Sequence, residues 1–294
     1  MSIASLRESC LTIYVCAEKV SKPNSLNSPA TIINMLTHLH TEWLKIKNYK
    51  AFWIFLGLYL ISIVAINYIA FQIYHQTVQQ EPMAANLITN PYAFPKVWQT
   101  VGFMGSWLLY FPGIIIILLT SNEFTFKTHR QNIIDGWSRK DFIHTKLLLV
   151  FILSVVVTII TTLTALIFGI AGPDPISSDG MSNIFYVFLQ SLSYISLALL
   201  LAVLFRRSGV ALIVFFLYGL IFESILYGLI NRYVHSQAGY FLPLQGTDVL
   251  TPIPFGNEIF YRDAPEAFTL VITAVIYLGL YYFFLVRKFE RDDL

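Results

Sequence analysis

Six stretches of the chain, 51–74, 98–120, 147–170, 184–205, 209–230 and 268–286, stay apolar over about the length of a membrane crossing. Roughly 20 such residues span about 30 Å of hydrocarbon. Lipid offers no partner to an open backbone, so each stretch is expected to be helical. Ahead of them, Ile32, Leu36, Leu39, Trp43 and Ile46 recur at spacings of four and three, with His38, Thr41, Glu42 and Lys45 on the remaining face. That period predicts an amphipathic helix lying in the membrane interface. The fold expected is therefore all-α: six transmembrane helices preceded by an N-terminal interfacial helix.

Composition sharpens this reading. Hydrophobic residues make up 56% of the 294 and charged residues only 12%, against about a quarter charged in a soluble domain. A net charge of +2 without any Lys/Arg-rich tract gives no reason to expect nucleic acid. Cys10 and Cys16, the two cysteines, both lie in the N-terminal tail, with neither a disulfide framework nor metal-ligand spacing around them.

Charge also sets an expected orientation. Lys45, Lys47, Lys50, Lys127, Arg130, Arg139, Lys140, Lys146, Arg206, Arg207, Arg287, Lys288 and Arg291 fall on one side, and only Lys96, Arg232 and Arg262 on the other. The inside-positive rule places both termini and the 121–146 connection in the cytoplasm. We expect a multi-pass protein of a bacterial inner (plasma) membrane. Residues 1–31 read as a disordered N-terminal extension, with Met35 as the expected natural start, and 32–294 as one transmembrane domain. Of the outer connections, 171–183 is a turn rich in Gly, Pro and Asp. The other, 231–267, is too apolar for a free loop and is expected to pack short helices or a re-entrant segment against the bundle.

The polar stretch "EFTFKTHRQNIIDGWSRKDFIHTK", residues 123–146, stands out between two apolar runs. Phe126, Ile133 and Ile134 alternate with Lys127, His129, Arg130 and Gln131, which suits a short helix of mixed face. Gly136 is a helix stop. Ser138 offers an N-cap, with Asp141 in the position of a capping-box acid. Two helices with a tight break are expected. Its basic residues satisfy the inside-positive rule by themselves. Phe126, Ile133, Ile134 and Trp137 are not needed for that, and suit a protein partner.

With six spans, an interfacial helix and this loop, the chain resembles the permease subunit of a type-2 export ABC transporter. The residues that carry the resemblance are Glu123, Thr128, Arg130, Ser138, Arg139 and Lys146. Asp135-Gly136-Trp137 stands where many relatives place a Leu-Pro-type turn. The resemblance covers about residues 35–294. It implies that Arg130, Gln131, Asn132, Ile133, Ile134, Asp135 and Gly136 form a coupling helix docked on a separate ATPase subunit, with Glu123 orienting the loop. It further implies a second permease chain, in a homo- or heterodimer, and ATP and Mg bound by the partner ATPase. The chain has no G-x-x-x-x-G-K-[ST] loop, so it is not expected to be an enzyme by itself or to hold a cofactor.

Within the spans, Glu223 is the one carboxylate, and an intramembrane acid is a functional candidate by default. The structural alternative is a hydrogen bond to the packed outer loop, at Arg232 or Tyr227. Pro112 and Gly113 offer a kink in the second span. Ser154, Thr158 and Thr161 form a polar stripe on the third, beside Thr162, and Ser193 and Ser196 lie on the fourth. Such stripes serve helix packing more often than substrate contact. All six histidines fall outside the spans, which disfavours hydrolytic chemistry within the bilayer. The sequence identifies no substrate; walls of Phe, Leu and Tyr suit a lipophilic or amphipathic one, and equally ordinary packing. The alternatives are a secondary transporter and a non-transporting membrane anchor or immunity subunit.

Overall fold

The computed structural model describes residues 39–80, 90–134, 137–172, 174–234, 237–251, 253–254 and 264–291. The expected extension 1–31, Met35 and the start of the interfacial helix lie outside these residues. Residues 39–47 are helical (α1). Then follow α2 (Lys50–Gln80), α3 (Lys96–Ser106), α4 (Tyr110–Thr125), α5 (Thr128–Ile134) and α6 (Arg139–Ile170). The chain continues as α7 (Ser182–Phe205) and α8 (Ser208–Phe216), which runs through a π-helical turn (Leu217–Phe222) into α9 (Glu223–Val234). A 3₁₀ turn (Gln237–Phe241) and α10 (Gln245–Leu250) lead to α11 (Ala267–Arg291). No strand occurs among the described residues.

Five helices, α2, α6, α7, the α8–α9 run and α11, are long and apolar enough to cross a membrane. The protein is all-helical and of a multi-pass membrane type. The sixth apolar stretch forms two helices, α3 and α4, bent by 44° at their junction. The bend follows from Pro112. A proline lacks the N–H that would bond the carbonyl four residues back, and its ring crowds that carbonyl. Here that carbonyl belongs to Leu108, which accepts instead from the N–H of Phe111 at 3.0 Å. Leu108 and Leu109 close the turn with three-residue bonds to Gly105 and Ser106. The kink expected at Pro112 thus falls one turn upstream of it, at 107–109.

Helix α7 forms the axis of the bundle. In its most apolar window 78% of residues are buried, against 17% for α2 and for the α8–α9 run. It packs against α4, α6, α8 and α11. One core cluster joins Tyr59, Val97, Tyr110, Tyr194 and Phe215. A second, around Ile116, Phe124, Phe142, Leu199 and Phe289, lies toward the α5 end. The third fastens the 3₁₀ turn and α10 to α7 and α11 through Leu189, Tyr240, Leu250 and Leu270. Within the 231–267 connection, the described 3₁₀ turn and α10 pack on the bundle.

Candidate functional site

At the α5 end, the geometry centres on Glu123 near the close of α4. Its Oε1 accepts from Lys146 Nζ at 2.9 Å and from Lys45 Nζ at 2.9 Å. The Lys146 side chain is 1% exposed, so it keeps its charge in the interior only beside such a counter-charge. The Glu123 carbonyl meets His129 Nδ1 at 3.0 Å, tying α5 back to α4. Around this node, Phe142 stacks on Phe289, and Arg206 lies over the Phe124 ring at 5.4 Å. Lys127 takes φ +56° between α4 and α5; this left-handed residue turns the chain sharply enough to start α5 at once.

Helix α5 presents two unlike faces. His129 and Asn132 are buried and Ile133 packs on the second core cluster. Thr128, Arg130, Gln131 and Ile134 face outward, with Ile134 77% and neighbouring Phe126 73% exposed. Asp135 and Gly136 lie outside the described residues. The expected capping box is present: the Asp141 N–H donates to Ser138 Oγ and the Ser138 N–H donates to Asp141. It opens α6 at Arg139, so the second helix of the loop and the third span are a single rod. At 1.5 Å per residue, its 32 residues reach about 48 Å, well beyond the hydrocarbon thickness.

The intramembrane candidates divide. Thr158 and Thr161 donate to carbonyls one turn back, as does Ser154, and Tyr59 meets Thr161 Oγ1 at 2.9 Å. That stripe is satisfied by packing. Gly113 lets α4 approach α8: a Cβ there would sit 2.4 Å from the buried Phe215 ring. Glu223 is buried, and its Oε1 accepts from the backbone N–H of Leu244 at 2.6 Å and of Gln245 at 2.8 Å. The two amides belong to the packed outer segment, so Glu223 meets that segment through its backbone rather than through Arg232 or Tyr227.

The structure adds a site that sequence reasoning missed. A cavity of about 220 Å³ opens between the α3–α4 bend, α7, the π-helical turn and α10, lined in part by Ser106, Tyr110, Tyr194, Ser224, Gln245 and Asp248. Tyr194, the bend at 107–109 and the π turn each fall about halfway along their helices, so the cavity lies near mid-depth of the bundle. The Asp248 carboxylate accepts from Gln190 Nε2 at 2.8 Å and from the Tyr194 hydroxyl at 3.0 Å. Read along the chain, Asp248 is one acidic residue in an outer loop. Only the packing of α10 carries it to mid-depth; the apolar composition of 231–267 predicts a packed segment but not which of its residues reaches the interior. No group of metal-binding side chains occurs among the described residues.

Residues 89–294 match a family described as a protein of unknown function (DUF2705), and the chain belongs to that family. Among curated proteins none matches the sequence. The matched segment includes α5, Glu123 and Asp248.

Proposed function

We propose that the protein is the permease subunit of an ABC transporter, exporting a lipophilic or amphipathic substrate. In this reading α3 and α4 together form one span, giving six, with both termini and α5 in the cytoplasm of a bacterial inner membrane. Two permease chains form the pathway, and each receives the stroke of a separate ATPase subunit at α5. The observation that carries the reading is the build of α5: a short helix clamped at its base by the Lys45–Glu123–Lys146 node, with Arg130 and Ile134 turned outward. A passive connection has no use for a buried, charge-paired lysine at its root (Lys146) or an exposed isoleucine at its tip. A knob held by a rigid base transmits force to two long helices, the mechanical need of rocking between inward- and outward-facing states.

The test is purification of the full chain from native membranes in a mild detergent, followed by measurement of co-purifying ATP hydrolysis. Arg130→Glu and Ile134→Asp should each lower the associated ATPase at least tenfold while insertion and yield stay unchanged. Wild-type levels of associated ATPase in both variants would contradict docking at α5. A secondary transporter is favoured by one observation, the carboxylate-bearing cavity beside a bent helix at mid-depth. It requires uptake or efflux that follows an ion gradient in the absence of ATP.

A further inference from the structure

The mid-depth cavity combines three features that simple packing does not require. First, Asp248 bears a carboxylate whose hydrogen-bond partners, Gln190 and Tyr194, are neutral. No cationic side chain of the described residues pairs with it or with Glu223. An unpaired acid within a membrane protein is costly, and an asparagine would tie α10 to α7 without that cost. Second, four aromatic residues, Phe103, Trp107, Tyr110 and Tyr194, contribute to the lining. Third, the rim reaches the outside of the bundle at Trp107, 61% exposed, and Leu220, 45% exposed.

The geometry points to a binding site for a small organic ammonium group, held by the Asp248 carboxylate among aromatic rings. Carboxylate and aromatic faces both attract a cation, and aromatic cages suit alkylated ammonium in particular. Anions are repelled by Asp248. A bare metal ion calls for several charged or strongly ligating groups converging on it; among the described residues no group of three His, Cys, Asp or Glu side chains could hold one. The volume is below the usual span of drug-sized pockets, and fits a head group better than a whole amphiphile. With the rim at Trp107 and Leu220, the apolar remainder of such a ligand stays outside the cavity, against the bundle surface. The site stands whether the protein is driven by ATP or by an ion gradient.

The experiment is isothermal titration of the full chain, in a nonionic maltoside detergent, with benzyltrimethylammonium and with its neutral carbon isostere, neopentylbenzene. The expected result is saturable binding of the cation at one site per chain, at least tenfold weaker binding of the isostere, and at least tenfold loss in Asp248→Asn. Ser224→Phe keeps the carboxylate but fills the space, and should abolish binding too; it decides the matter if Asp248→Asn does not fold. Absence of saturable cation binding, equal binding of the isostere, or wild-type affinity in the folded variants would each overturn the proposal. Loss of ATPase association in the α5 variants leaves this titration unchanged, so the two readings fail separately.

Discussion

Three acidic side chains in this protein are stabilised in three ways. Glu123 sits between two lysines, Glu223 on two backbone amides, and Asp248 on an amide and a phenol. Only the first arrangement cancels charge. Glu123→Gln should therefore leave Lys146 buried without its counter-charge and cost about 3–5 kcal/mol; the thermal midpoint in detergent reads this, and an unchanged midpoint would show the node to be dispensable. For Asp248, a proton and an ammonium ion compete for the same carboxylate. Glu223, Tyr110 and Tyr194 are the ionisable groups that interact with it. Affinity for benzyltrimethylammonium should rise with pH, because only the ionised carboxylate attracts the cation. A flat profile would mean that Asp248 does not meet the cation. Glu123 was legible in the sequence because a lone acid closes an apolar run. Asp248 was not, because its partners Gln190 and Tyr194 are more than fifty residues away.

Among the elements, the apolar runs and the capping box at Ser138 were readable because both depend on neighbours within a few residues. The bend was half-readable: Pro112 announces it, and its position at 107–109 follows once the Leu108 carbonyl is seen to lose its donor. The π-helical turn had no signal in the sequence, since Leu217–Phe222 looks like any apolar helix. In α5, the sequence pattern predicts a short helix of mixed face but not which face is outward, which the packing of Ile133 and exposure of Ile134 show. Helix packing beside the cavity yields its own prediction. Gly113→Ala would place a methyl 2.4 Å from the fully buried Phe215 ring and should destabilise by about 1–3 kcal/mol. Gly57→Ala, with nothing within 4 Å, should be neutral or stabilise by up to about 1 kcal/mol through helix propensity. Equal melting behaviour of the two variants would contradict a tight α4–α8 contact.

For the whole molecule, an axial helix surrounded by less buried neighbours leaves wide apolar surfaces on α2, α8–α9 and α11. Lipid or a second chain can cover these, and the proposed pathway between two permease chains draws on them. In the proposed function, force received at α5 passes through the Glu123 node to α4 and α6. The most direct test is a photo-crosslinking residue placed at position 134 in living cells, with position 167 on the exposed flank of α6 as the control. The account predicts that position 134, and not 167, captures a polypeptide bearing a G-x-x-x-x-G-K-[ST] phosphate loop, and that Arg130→Glu abolishes the capture. Crosslinks from 134 to lipid alone, or to proteins of the opposite side of the membrane, would contradict it.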